Sequence, residues 1–331
     1  MISRRRAVTF LGAGALLARA AGSHAQAAAR MRRIGFLALN SFTAPPSPER
    51  RAFMEGLAEL GLVPGKSVDL ILASAEDAVE FLDEIARDLV NKRVDLIVGS
   101  GGIVLQAAQR ATREIPIVML AVGDPVGMQL VESLARPGGN ITGSSFISSD
   151  LAGKRVQLLR EVAPRARRLA VAFDARNGNA RLESTAVEAA ARKLGLVPLM
   201  LPFENAAGLD TALKRVAAER VELLYPVFEG NIVARRRFEI GDFARRRKLP
   251  SVSGWRGMAE AGVLLAYAPD IVAMFRRGAY FVHRIFNGAR PADLPVEQPT
   301  RFELVVNLAT ARAIGVTVPY SIMVSADRLI E

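Results

Sequence analysis

Cysteine is absent from all 331 residues, histidine occurs twice and tryptophan once. Without thiols the chain can form no disulfide, carry no lipid on cysteine, and support neither thiol catalysis nor a zinc-thiolate or iron–sulfur centre. The two histidines, His24 and His283, are far apart in sequence and make no cluster for metal binding or acid–base work. The G-x-S-x-G nucleophile elbow, the G-x-G-x-x-G fingerprint and the Walker lysine are all missing. No catalytic constellation is visible, so neither a cofactor nor a metal is expected.

Half of the residues are apolar, enough for a sizeable core and, at this length, about two domains. Residues 1–27 read as a signal peptide rather than as part of that core. Arg4, Arg5 and Arg6 precede the apolar stretch Ala7 to Ala18, and Ser23-His24-Ala25 or Ala25-Gln26-Ala27 offers a small-residue cleavage site. The arginine run fits the Tat route loosely and leaves the Sec route open. The apolar stretch is shorter than the roughly 20 residues that a spanning helix needs. Together with the missing cysteine, this points to a periplasmic protein with no lipid anchor. The formal charge of +11 falls to +7 once the four arginines of residues 1–27 are set aside. The remaining basic runs, Arg165 to Arg168, Arg235 to Arg237 and Arg245 to Lys248, read as solvated helix faces, and no nucleic-acid partner is expected.

Short apolar runs alternate with amphipathic segments along the rest of the chain. Strands are expected at Arg33 to Leu39, Val68 to Ala73, Leu96 to Val98 and Ile115 to Ala121, and helices at Glu49 to Leu60, Val79 to Asn91 and Ile103 to Thr112. A second series runs from about Leu151. It has helices at Lys154 to Val162, Ala180 to Leu194, Leu209 to Arg220 and Ile232 to Arg247. Its strands lie at Arg168 to Phe173, Val197 to Leu201, Leu223 to Pro226, Ser251 to Val252 and Val263 to Ala266. This spacing predicts two doubly wound α/β units with parallel sheets. The helix Asp270 to Asn287 carries an apolar stripe and needs an existing sheet to cover, so it is expected to return to the first unit. An extended segment, Leu294 to Val306, then crosses back, followed by a helix near Leu308 to Ile314.

Ligands of open parallel sheets bind beyond the carboxyl ends of the strands, where helix N-termini point at the pocket. The candidate residues at such tips are Asn40, Ser41, Ser100, Gly101, Gly102, Asp124 and Pro125 in the first unit, and Asn177, Phe228, Glu229 and Trp255 in the second. Amides around Ser100 to Gly102 could hold a carboxylate. Asp124 has two readings: partner of a ligand ammonium, or cap of the segment that follows it. Trp255 is equally open, as core residue or as ligand platform.

Several blocks resemble the periplasmic substrate-binding proteins of ABC transporters, in the family that includes tryptophan- and tyrosine-associated binding proteins. They are Ile115 to Val118, Val122-Gly123-Asp124-Pro125-Val126-Gly127, Leu134 to Gly143, Gly153-Lys154-Arg155 and Ala292 to Asn307. The resemblance implies a type I periplasmic-binding fold with a three-crossover hinge. Lobe 1 would comprise 31–147 plus 268–294, and lobe 2 148–267 plus 295–331. It also implies a non-enzymatic, monomeric protein that captures a small amino-acid-like or carboxylate-bearing ligand between the lobes and delivers it to inner-membrane permease subunits. Where the family often reads Gly-Thr-Pro, this chain has Gly101-Gly102-Ile103. The missing threonine hydroxyl points to a ligand that differs from the aromatic amino acids associated with some relatives. The competing reading is an exported α/β hydrolase or transferase acting on a small polar substrate.

Overall fold

The computed structural model describes residues 30–42, 45–228 and 231–331; the leader expected over 1–27 lies outside them. The first unit runs β1 (Arg32–Ala38), α1 (Pro48–Glu59), β2 (Val68–Ser74), α2 (Leu82–Asn91), β3 (Leu96–Gly99), α3 (Gly102–Ala111), β4 (Ile117–Val122) and β5 (Ile141–Ser145). Its five strands are all parallel, in the order β2-β1-β3-β4-β5. Both faces of β4 are buried along its whole length, which is why the strand reads as an unbroken apolar run.

The second unit contains α4 (Ser148–Val162), β6 (Arg168–Asp174), α5 (Gly178–Lys193), β7 (Val197–Phe203), α6 (Ala206–Ala218) and β8 (Leu223–Pro226). It continues with α7 (Asn231–Arg235), α8 (Arg237–Arg246), β9 (Val252–Ser253), α9 (Arg256–Glu260) and β10 (Leu265–Pro269). Strands β7-β6-β8 are parallel, and a bridge from Leu224 to Ser251 carries the ladder on to β9 and β10.

The chain then forms α10 (Ile271–Phe286), whose buried Met274, Phe275, Ala279 and Val282 pack with Phe53 and Leu57 of α1 over the first sheet. Gly56 permits the close approach of these two helices, since a Cβ there would lie 2.7 Å from the carbonyl oxygen of Arg276. After α10 come β11 (Phe302–Asn307), α11 (Leu308–Ile314), α12 (Tyr320–Ser325) and β12 (Arg328–Ile330). Strand β11 pairs antiparallel with β10, and β12 pairs parallel with β11.

The structure differs from the sequence expectation in several elements. Strand β5 is not among the expected strands, because its Thr142, Gly143, Ser144 and Ser145 lack an apolar signature, yet every residue in it is buried. Helix α4 begins at Ser148, ahead of the apolar stripe that marked it from Lys154. The single helix expected over Ile232 to Arg247 is broken at Arg236 into α7 and α8. The segment after Pro125 is a series of turns, held by the amides of Met128 and Leu130 donating to the carbonyls of Asp124 and Pro125 at 3.0 and 2.8 Å. Helices α9 and α12 and strand β12 were not expected; each is short, and periodicity over three to six residues gives little signal.

Candidate functional site

The carboxyl ends of the two sheets face each other across a cleft of about 580 Å³. From the first unit it is lined by the segment Leu39 to Phe42 after β1, by Ser47 to Arg50 at the start of α1, and by Ser100 and Gly101 ahead of α3. The second unit supplies Asn177, Phe228, Arg237 and the stretch Trp255 to Gly257, while Ile271 and Phe275 come from α10. Its walls are aromatic. Phe36 and Phe42 meet edge to face at 5.6 Å, and on the opposite side Phe228 and Trp255 stack at 4.9 Å with 27° between their planes.

Each wall carries a guanidinium. Arg50 lies 5.1 Å from the centroid of Phe42, and Arg237 lies 5.7 Å from that of Trp255. Arg237 donates to the carbonyl of Ala234 at 2.9 Å and has no carboxylate partner among the described residues. Arg256 differs, being held by Glu303 at 3.5 Å and Glu260 at 3.6 Å. This geometry suits a planar or aromatic body between the walls and polar groups at its ends. Among the described residues no group of three His, Asp or Glu side chains could hold a metal ion.

Of the tip residues singled out in the sequence, Asn40, Ser41, Ser100, Gly101, Asn177, Phe228 and Trp255 line the cleft. Asn177 spends its side-chain oxygen capping α5, accepting from the amides of Asn179 at 2.9 Å and Ala180 at 3.4 Å. Gly102, Asp124 and Pro125 do not line it. Gly102 is covered by the thioether of Met128. The Asp124 carboxylate accepts from the Gly127 amide at 2.8 Å, and the Asp124 amide donates to the Asn179 side chain at 2.8 Å. Glu229 lies outside the described residues. The lining residues that the sequence did not flag are chiefly Phe36, Phe42, Phe146, Phe275 and Arg237. Each resembled ordinary core or a solvated basic run, and only Arg237 left a trace, as the third member of Arg235 to Arg237.

Three stretches of chain pass between the units behind the cleft. At the first, Ile147 takes a left-handed φ of 46°. The second is Asp270, between β10 and α10, where its side chain caps α10 through the Ala273 amide at 3.0 Å. The third is pinned by backbone bonds from Glu297 to Gly143 and from Ser145 to Glu297, at 2.8 and 2.9 Å. Beside the first two lies a buried ionic cluster. Arg155 is bound to Glu183 at 2.8 Å, with both side chains essentially inaccessible. Its guanidinium also donates to the carbonyls of Ser148 at 3.1 Å and Tyr267 at 2.8 Å, which flank those two crossings. The Tyr225 hydroxyl donates to Glu183 at 2.7 Å, and Ser148 donates to the same carboxylate. Burial, with the neighbouring Glu183 charge adding to it against the pull of Arg155, pushes the Tyr225 phenol well above its ordinary range.

With this geometry in view, the comparisons with known proteins are consistent. The profile of the ABC transporter substrate binding protein family matches residues 47–330. A tyrosine-binding protein of Clostridioides difficile (strain R20291) is 24% identical over 266 residues, covering 80% of this chain and 76% of the relative. The structure of an ABC domain in complex with L-Trp from Streptococcus pneumonia superimposes with a TM-score of 0.83 at 24% identity, covering 90% of this chain and 99% of that one. A ligand-free, open structure of a substrate-binding protein with adhesive properties from Clostridium difficile gives 0.66 at 25% identity, with the same coverage.

Proposed function

The chain belongs to the ABC transporter substrate-binding protein family, a non-enzymatic transport family, and from that premise we propose that it captures a small amino-acid-like or carboxylate-bearing ligand in the cleft and delivers it to permease subunits of the inner membrane. The observation that carries this reading is the cleft itself, about 580 Å³ between two aromatic walls with polar strand tips at its ends. Its size and mixed lining are those of a small-molecule site. The ligands named for the relatives, tyrosine and L-Trp, are the natural first candidates.

The lobes of this reading are 31–147 plus 268–294 and 148–267 plus 295–331, moving about the three crossings. Export to the periplasm rests on the leader composition, and the protein acts as a monomer. No helix among the described residues is long and apolar enough to cross a membrane.

The test uses the only tryptophan in the chain, which stands in the wall. Native mass spectrometry of freshly purified protein is expected to show a retained small molecule. Titration with tyrosine, phenylalanine and aromatic carboxylates is expected to change Trp255 emission, with calorimetry serving for tryptophan. Trp255→Ala is expected to weaken binding at least tenfold, about 1.4 kcal/mol, as for an aromatic anchor in a buried site. Unchanged affinity in that variant would move the ligand away from this cleft.

A further inference from the structure

Asp77 and Arg235 come from opposite units, and neither lines the cleft. Their side chains meet at 2.7 Å, joining the loop after β2 to the last residue of α7. The loop is built to present the carboxylate. Glu76 and Asp77 both hold left-handed backbone, with φ of 47° and 73°, a conformation that non-glycine residues adopt only when their surroundings enforce it. The enforcement is visible in the bonding. The Asp77 amide donates to the carbonyl of Leu39 at 2.8 Å, the Glu76 amide donates to the Ser74 hydroxyl at 2.9 Å, and that hydroxyl donates to the carbonyl of Asn40 at 2.9 Å. Asn40, which lines the cleft, also donates its side-chain amide to Asp77 at 3.1 Å.

We infer that Asp77 and Arg235 form a closing latch, a pair of positioning residues that hold the two lobes together and tie that closure to Asn40 in the binding cleft. The inference rests on the two-lobe reading above. An ion pair between lobes exists only where the lobes are close, so its free energy goes entirely into the closed arrangement and biases the equilibrium toward it. Arg235 is 58% exposed and Asp77 21%, so the bias is modest and screened by salt. It sets the closed population without fixing it.

The test needs no ligand. Because the chain has no cysteine, labels placed through Glu80→Cys and Glu204→Cys, exposed positions on the two lobes, report one distance unambiguously. Pulsed electron-spin distance measurements on the full ligand-free chain at low salt are expected to show a closed population. Asp77→Asn and Arg235→Gln should each lower the closed-to-open ratio roughly two- to fivefold, and the double variant should go no lower than the larger single effect, because either change alone already removes the ion pair. Raising salt to about 0.5 M should bring wild type toward the variants and leave the variants unmoved. Thermal midpoints should stay together, which a merely structural role would not give. Asn tolerates the left-handed backbone at position 77, and the exposed Arg235→Gln gives an independent arm. A distance distribution unchanged by either single variant at low salt, or additive effects in the double, would overturn the latch. Neither outcome touches the ligand reading, which stands or falls on the retained molecule and on Trp255.

Discussion

At the tip of β4, the Asp124 carboxylate already has a partner in the Gly127 amide, so its geometry is that of a turn cap beside the cleft. Asparagine offers the same acceptor. Asp124→Asn is therefore expected to leave thermal stability within about 0.5 kcal/mol and ligand affinity within about twofold, whereas Asp124→Ala should cost about 1 kcal/mol of stability. Calorimetric titration checks the first part, and a loss beyond tenfold in Asp124→Asn would place the carboxylate on a ligand ammonium instead. The sequence could locate this residue at a strand tip, because the apolar run before it and Pro125 after it are local signals. It could not decide where the carboxylate points. That depends on a turn closed three residues later and on Asn179 arriving from the other unit.

At the level of elements, the approach of α1 and α10 and the solvent face of α4 give a matched pair of substitutions. Gly56 is buried where a Cβ would meet the Arg276 carbonyl oxygen at 2.7 Å, whereas a Cβ at Gly153, in α4, meets nothing within 4 Å. Gly56→Ala is expected to destabilise by roughly 1–3 kcal/mol through overpacking against backbone that cannot yield. Gly153→Ala is expected to stabilise by about 0.5–1 kcal/mol, because alanine loses less backbone freedom in a helix. Chemical denaturation of the two single variants reads both signs. The pairing of α10 with the first unit was legible from its apolar stripe. Strand β5 was not, since its burial comes from neighbours: Thr142 donates to the Leu294 carbonyl at 2.6 Å, and Gly143 lies against the Met119 backbone with φ of 136°.

Over the whole molecule, the Arg155, Glu183 and Tyr225 cluster joins the core of the second unit to two of the three crossings, so its ionisation bears on global stability. The folded state raises the Tyr225 phenol well above its ordinary value of 10.0, mainly through burial. A raised folded value favours the protonated form, so this contribution is complete below pH 10 and is lost as pH climbs from there toward the folded value. Unfolding free energy is therefore expected to fall by about 1.4 kcal/mol per pH unit from this group above pH 10. Tyr225→Phe should remove that part of the slope. It should also cost about 1–3 kcal/mol at neutral pH by depriving buried Glu183 of a donor. Urea titrations at a series of alkaline pH values, in wild type and variant, separate the two effects.

The sequence by itself determined the alternation of strands and helices, the mainly parallel character of the sheets and the strand tips at which a ligand would be sought. Each of these follows from apolar periodicity and from residues that start or stop an element, and both are properties of neighbouring positions. Tertiary structure alone decided which tips share one cleft, why Phe36 and Phe275 stand in the same wall, and why Arg237 faces Trp255 while Arg235 reaches Asp77. A run of three arginines looks the same whether it is solvated, stacked or paired. Its members are distinguished by the break at Arg236 that separates two short helices, and by what each then meets: Asp77 of the far unit for Arg235, and Trp255 of its own unit for Arg237. Such contacts join residues far apart in the sequence, which no local pattern relates.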